Sequence, residues 1–308
     1  MMEDIKKIIE QERKFVPGHA TCSGCGIPIV VRNVLRGTKN PIIAAAATGC
    51  LEVTSTTYPN NAWNIPFVHS CFGNSHSTMA GVETAFRALK KKGKVTKDIK
   101  FVAFAGDGGT YDIGLQSLSG TLERNHNVVL VCYNNQAYMN TGNQRSSATE
   151  FGAETSTTPV GAVKKGKDLF RKDLTKIVAA HNIPYIGQSA VHNFRDIIQK
   201  AEKAFNADGP AFLNIYSPCT LMWKIPTDMT VEITKLAADT CFWPLYEIEN
   251  GKYKLNYKPA QKKPLEDFLK PQGRFKHLLA PENKQILEKL KQKVDRDWEE
   301  LLRLCGEK

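Results

Sequence analysis

Short apolar, β-prone runs recur along the chain at Ile42–Ala47, Phe101–Ala105, Val128–Tyr133, Tyr185–Ile186 and Ala211–Tyr216. Between them, Ala80–Lys92, Gly114–Arg124, Leu174–Asn182 and Asn193–Asn206 carry helix-compatible apolar spacing. Alternation of this kind predicts an α/β fold, a mostly parallel sheet flanked by helices. The segment Gly152–Lys167 (GAETSTTPVGAVKKGK) is rich in Gly, Thr and Pro and reads as a long functional loop. From Asn250 the chain is Lys- and Pro-rich, until Ile286, Leu290, Val294, Trp298 and Leu301 fall at helical spacing within Pro281–Leu304. The expected division is a main domain over 1–250 and a C-terminal extension over 251–308 that ends in a docking helix.

Composition narrows the class. At 308 residues the chain can bury a sizeable core without staples. No run approaches the roughly 18 apolar residues of a membrane span, and the opening MMEDIKKIIEQERK lacks the apolar core of a secretory leader. With eight cysteines, that pattern predicts a reducing, cytoplasmic setting and no membrane partner. A net charge of +11 invites a nucleic-acid reading. Much of the excess lies at Lys90–Lys92 and in the C-terminal extension, with no helix-turn-helix, RNP or zinc-finger spacing beside it. It is read instead as a solvated face or a docking surface for an acidic protein.

The chemistry gathers where the apolar runs stop. They are followed by Thr48-Gly49-Cys50, Gly106-Asp107-Gly108, Asn134-Asn135 and Ser217-Pro218-Cys219. If the strands are parallel, all four sets share the carboxyl edge, where α/β sheets bind ligands. A lone Gly-Asp-Gly or Asn-Asn is equally a turn; four at one edge are not. Asp107 and Asn135 could meet around a hard cation, and Mg2+ suits oxygen ligands with phosphate as co-ligand. Gly106, Gly108 and Gly109 would let a diphosphate approach the backbone.

Cys22 and Cys25 form a CxxC whose spacing fits zinc, a redox disulfide or an iron-sulfur cluster. There is no second CxxC, so a four-thiolate site needs distant cysteines, and Cys50 and Cys219 at strand ends are the natural candidates. Cys132 reads as core, Cys71 and Cys241 as substitute ligands at best, and Cys305 as unpartnered. His19, His69 and His76 lack ligand spacing and read as hydrogen-bonded structural residues. Arg145-Ser146-Ser147 would either touch an anion or form an exposed turn.

GDG followed by NN resembles the thiamine-diphosphate fingerprint. GHATCSGCG at Gly18–Gly26, TGC at Thr48–Cys50, GDGGTYDIG, YNNQAYMNTGNQRSSAT at Tyr133–Thr149 and SPC before Thr220 together resemble the β subunit of pyruvate:ferredoxin oxidoreductase, from about residue 15 to about residue 250. The resemblance implies a thiamine-diphosphate fold with an N-terminal iron-sulfur loop. It implies Mg2+ held by Asp107, Asn135 and the carbonyl of Ala137, with Cys50, Gly106, Gly108 and Gly109 around the cofactor and Asn140 beside its thiazolium. It makes Cys22, Cys25, Cys50 and Cys219 the ligands of a 4Fe-4S cluster.

The implied reaction is oxidative decarboxylation of a 2-oxoacid, pyruvate first, with the acyl group passing to coenzyme A and electrons to ferredoxin. The glutamate that activates the cofactor would belong to a separate α subunit, with γ and δ subunits or fusions completing the complex. FGNSHSTMAG at Phe72–Gly81 and Ile27 after CSGCG depart from the pyruvate pattern, which leaves branched-chain 2-oxoacids or oxalate open. Rival readings are a non-redox thiamine decarboxylase or carboligase, which leaves the cysteines without a shared purpose, and a basic nucleic-acid binder, which leaves the strand ends unexplained.

Overall fold

The structure, a computed structural model, describes residues 10–307; the first nine residues of the charged opening and Lys308 lie outside it. Among the described residues one eight-stranded sheet runs in the order β2-β1-β3-β4-β6-β5-β7-β8. Its strands are β1 (Ile42–Ala47), β2 (Phe67–Ser70), β3 (Lys100–Gly106), β4 (Val129–Asn134), β5 (Tyr185–Ala190), β6 (Ala211–Tyr216), β7 (Tyr246–Glu249) and β8 (Lys252–Leu255). The first six are mutually parallel, and β7 and β8 turn antiparallel at one edge.

The central strands read as continuous apolar runs because both their faces are covered. Alternate residues divide between two cores. Ala44, Ala46, Val102, Phe104, Val129, Val131, Leu213 and Ile215 face one way, toward α1 (Ile27–Leu35) and the helix at Phe194–Asn206. Ala45, Phe101, Ala103, Leu130 and Phe212 face the other. That side is closed by the helices at Ser75–Lys91, Leu115–Glu123, Leu174–Ala179 and Lys284–Leu304. In chain order these helices are α3, α4, α5, α6 (Phe194–Asn206) and α10 (Lys284–Leu304), with α2 at Cys50–Ser55, α7 at Thr220–Trp223, α8 at Thr230–Asp239 and α9 at Leu265–Leu269.

A third core joins Trp223, Phe242 and Trp243 to Leu265, Phe268, Phe275, Leu278, Leu290 and Val294. The segment after residue 250 thus supplies β8 to the sheet and about a third of an apolar cluster. The loop at 152–167 carries no helix or strand. The chain passes from β1 outward to β2, then returns to place β3 on the other side of β1. That reversal opens a crevice beyond the carboxyl ends of β1 and β3.

Candidate active site

Because β1, β3, β4 and β6 are parallel neighbours, Thr48–Cys50, Gly106–Gly108, Asn134–Asn135 and Ser217–Cys219 leave the sheet at one edge. A cavity of about 300 Å³ opens there. Of the residues expected to bind a cofactor, Cys50, Gly106, Gly108, Gly109, Asn135, Ala137 and Asn140 line it, with Asn140 exposed at its mouth. Asp107 is fully buried beside them.

The backbone N–H of Asn135 donates to Asp107 Oδ1 at 3.2 Å, and the Ser146 hydroxyl donates to Asp107 Oδ2. Burial pushes the carboxyl up to about 7, against the opposing pull of those two hydrogen bonds. The amide oxygen of Asn135 faces Asp107 Oδ1 at 2.8 Å and the Ala137 carbonyl at 2.9 Å. A turned Asn135 amide would donate to both oxygens, and a cation between the three would equally satisfy them. Octahedral Mg2+ at 2.0–2.1 Å sets adjacent ligand oxygens about 3 Å apart. The spacing fits that ion.

Of the groups that hold this trio, the sequence offered only the Arg145-Ser146-Ser147 stretch, as an anion contact or an exposed turn, and the contact is the one formed. Ser146 is not an exposed turn residue; it is fully buried against Asp107. Asp112 accepts from the Tyr138 hydroxyl at 3.1 Å and from the Ser147 N–H at 2.9 Å, tying the glycine turn to the loop after β4. Trp223 donates its indole N–H to the Asn135 carbonyl at 2.8 Å. Gly-Asp followed five residues on by a second Asp was the available signal for Asp112; nothing local announced Trp223.

The cysteine set assembles on the same edge. The Cys22–Cys25 loop folds onto the end of β6: the Gly26 N–H donates to the Pro218 carbonyl at 3.4 Å, and Thr220 Oγ1 donates to the Ser23 carbonyl at 2.8 Å. Cys25 and Cys50 pack on one apolar core, and Cys50 and Cys219 on another. Burial, reinforced by the neighbouring thiols, pushes Cys25 and Cys50 up to about 12 and also raises Cys219. Among the described residues no three His, Cys, Asp or Glu side chains are gathered at the spacing of a single bound ion.

All eight cysteines are free thiols. Cys132 is fully buried in β4, Cys71 is exposed, and Cys241 is buried in a different region. His19 bonds Thr21 and Arg32, and His69 bonds Thr48. His76 departs from expectation: both ring nitrogens are unpartnered in its buried place on α3, and burial lowers its pKa to about 4, which keeps the ring neutral. Helix α3 starts beside this edge and spans about 25 Å at 1.5 Å per residue, so Lys90–Lys92 lie at its far end, remote from the thiols.

The mostly parallel sheet, with Asp107 and Asn135 buried at its carboxyl edge, is a thiamine-diphosphate-binding fold. In agreement, the family described as thiamine pyrophosphate enzyme, C-terminal TPP binding domain, matches residues 47–215. Within that class, the chain belongs to the family of pyruvate synthase PorB subunits, the β subunits of 2-oxoacid:ferredoxin oxidoreductases. It is 49% identical to pyruvate synthase subunit PorB of Thermotoga maritima, over 99% of this chain and 97% of the relative. It is also 41% identical to ketoisovalerate oxidoreductase subunit VorB of Pyrococcus horikoshii, over 98% and 97% of the two chains. The fold is shared with the 2-oxoglutarate:ferredoxin oxidoreductase from Magnetococcus marinus, with a TM-score of 0.57, 19% identity and coverage of 68% of this chain and 69% of that one.

Proposed function

We propose that this chain is the β subunit of a pyruvate:ferredoxin oxidoreductase, holding Mg2+, thiamine diphosphate and one 4Fe-4S cluster. The observation that carries the reading is the meeting of Asp107, Asn135 and the Ala137 carbonyl at ion-ligand spacing on the rim of the cavity. When bound, the cofactor supplies the electron sink for decarboxylation of a 2-oxoacid. The chain's own part is to orient. Ser146 and the Asn135 N–H fix the Asp107 carboxylate, and Trp223 fixes the Asn135 carbonyl. Asn140 at the cavity mouth offers an amide to the reacting end.

Support for the cluster comes from four free, half-buried or exposed thiols on the same edge, where burial keeps Cys25 and Cys50 protonated unless a metal centre takes them. A coordinating thiol is deprotonated outright by such a centre. Free thiols throughout also support a cytoplasmic site.

The relatives' subunit names support assembly with other chains, and we assign the cofactor-activating glutamate to an α subunit, with γ and δ subunits, coenzyme A and ferredoxin as further partners. Pyruvate is the substrate by the balance of relatives; a branched-chain 2-oxoacid is the second reading, carried by the ketoisovalerate relative. Steady-state assay of the assembled complex, with coenzyme A and ferredoxin, tests both. Higher kcat/KM for pyruvate than for 2-oxoisovalerate is expected, and the reverse order would move the assignment to the branched-chain acid.

A further inference from the structure

The C-terminal extension packs one side chain onto Trp223, one turn beyond Cys219. Gly273, whose added Cβ would lie 2.6 Å from Lys224 Cβ, lets the helical turn Gly273–Leu279 dock against the end of α7, with its N–H bonded to the Lys224 carbonyl at 3.3 Å. Arg274 then lies flat on Trp223, its guanidinium carbon 3.7 Å from the ring centre. Trp223 is one turn beyond Cys219 and donates its backbone N–H to the Cys219 carbonyl at 3.0 Å.

Arg274 is only 3% exposed, and the polar contacts of its guanidinium are neutral: Gln272 Oε1 at 2.8 Å and the Tyr216 hydroxyl at 3.4 Å. Among the described residues no carboxylate pairs with it. Glu150, the nearby acid, is taken by Arg171 at 3.3 Å, and Lys167, buried in the same region, adds a further positive charge. Asp173 also acts on Arg171 and Asp112 on Lys167, so Arg274 is the cation whose one acidic neighbour, Glu150, is already paired. An unpaired buried charge is costly, so the region calls for a negative group that the protein atoms do not supply. A 4Fe-4S centre carried by four thiolates is such a group, and Cys219 lies within reach of Arg274's field.

We propose that Arg274 is a positioning residue for charge: it sets the reduction potential of the cluster held by Cys22, Cys25, Cys50 and Cys219. One-electron reduction adds one negative charge to the cluster, the electron coming from oxidation of the 2-oxoacid, and a fixed cation beside Cys219 favours the reduced state. The inference rests on the cluster assignment made above. It also gives the extension two roles, packing the core and delivering this charge.

An EPR-monitored redox titration of the full chain, reconstituted anaerobically with iron and sulfide and with iron content measured in parallel, tests the proposal. Arg274→Gln should retain iron while the equilibrium constant for reduction falls at least about tenfold, a 59 mV lower midpoint for one electron. Arg274→Lys, which keeps the charge, should stay near the parent. Full iron with an unchanged midpoint in Arg274→Gln would overturn the proposal, as would loss of iron in both variants, which would make the residue purely structural. If only Arg274→Gln loses iron, a parental midpoint in Arg274→Lys sustains the role of charge. A parent chain that takes up no cluster would overturn the functional reading itself, and this inference with it.

Discussion

Asp107 has a carboxyl that burial holds near neutrality, so protons and a cation compete for it. With its pKa raised to about 7, the group is protonated below that pH in the absence of metal and must lose the proton to bind. Affinity for Mg2+ and thiamine diphosphate in the assembled complex should be level above about pH 7 and fall up to tenfold per unit below it. Calorimetric titration between pH 6 and 8 checks this, and a flat profile would contradict it. Asp107→Ala should abolish metal-dependent cofactor binding while sparing iron content. Ser146→Ala should weaken it about ten- to a hundredfold, since a hydrogen bond to a charged group is worth about 1.5–3 kcal/mol. The difference between these residues is also one of legibility. Asp107 and Asn135 stand in local patterns at strand ends, whereas Ser146 acquires its role only when the loop after β4 folds back over Asp107.

Among the elements, the seat of the CxxC loop is exacting. Gly24 has φ +73 and an added Cβ would lie 2.0 Å from the Thr227 carbonyl oxygen. Gly24→Ala should therefore lower iron per chain to a small fraction of the parent and leave Mg2+-dependent thiamine-diphosphate affinity within about twofold. Equal losses of both would mean that the two sites fold as one unit. The central strands were legible because cover on both faces makes them continuous apolar runs. The edge strands β2 (FVHS), β7 (YEIE) and β8 (KYKL) mix polar and apolar residues and leave no such run. Helix α1 (IPIVVRNVL) is short and rich in β-branched residues, which blurs the helical period; Pro28 in its first turn was the readable start signal. Helix α3 begins at Ser75 rather than Ala80, because the departing stretch FGNSHSTMAG supplies its first turns.

Across the molecule, the segment after residue 250 shares its core with the sheet. Leu265, Phe268, Phe275 and Leu278 are buried against Trp223, Phe242 and Trp243. Losing large buried side chains costs about 2–5 kcal/mol each, against a total stability of about 5–15 kcal/mol. A chain ended at residue 250 should fail to fold cooperatively in a urea titration; a sharp, parent-like transition would instead make the extension a separable appendage. The terminal helix was legible from its stripe at Leu290, Val294 and Leu301, all buried, but a linear pattern could not show that Arg274 reaches Trp223.

On the proposed function, one sheet edge carries both a metal-diphosphate anchor and a four-thiolate cluster site. Iron, sulfide and zinc analysis of the anaerobically purified chain, with a visible spectrum, probes this pairing directly. About four iron atoms and matching sulfide per chain, in a brown protein, is the expected result, as four cysteine thiolates around one 4Fe-4S cluster require. Stoichiometric zinc with no iron would contradict it.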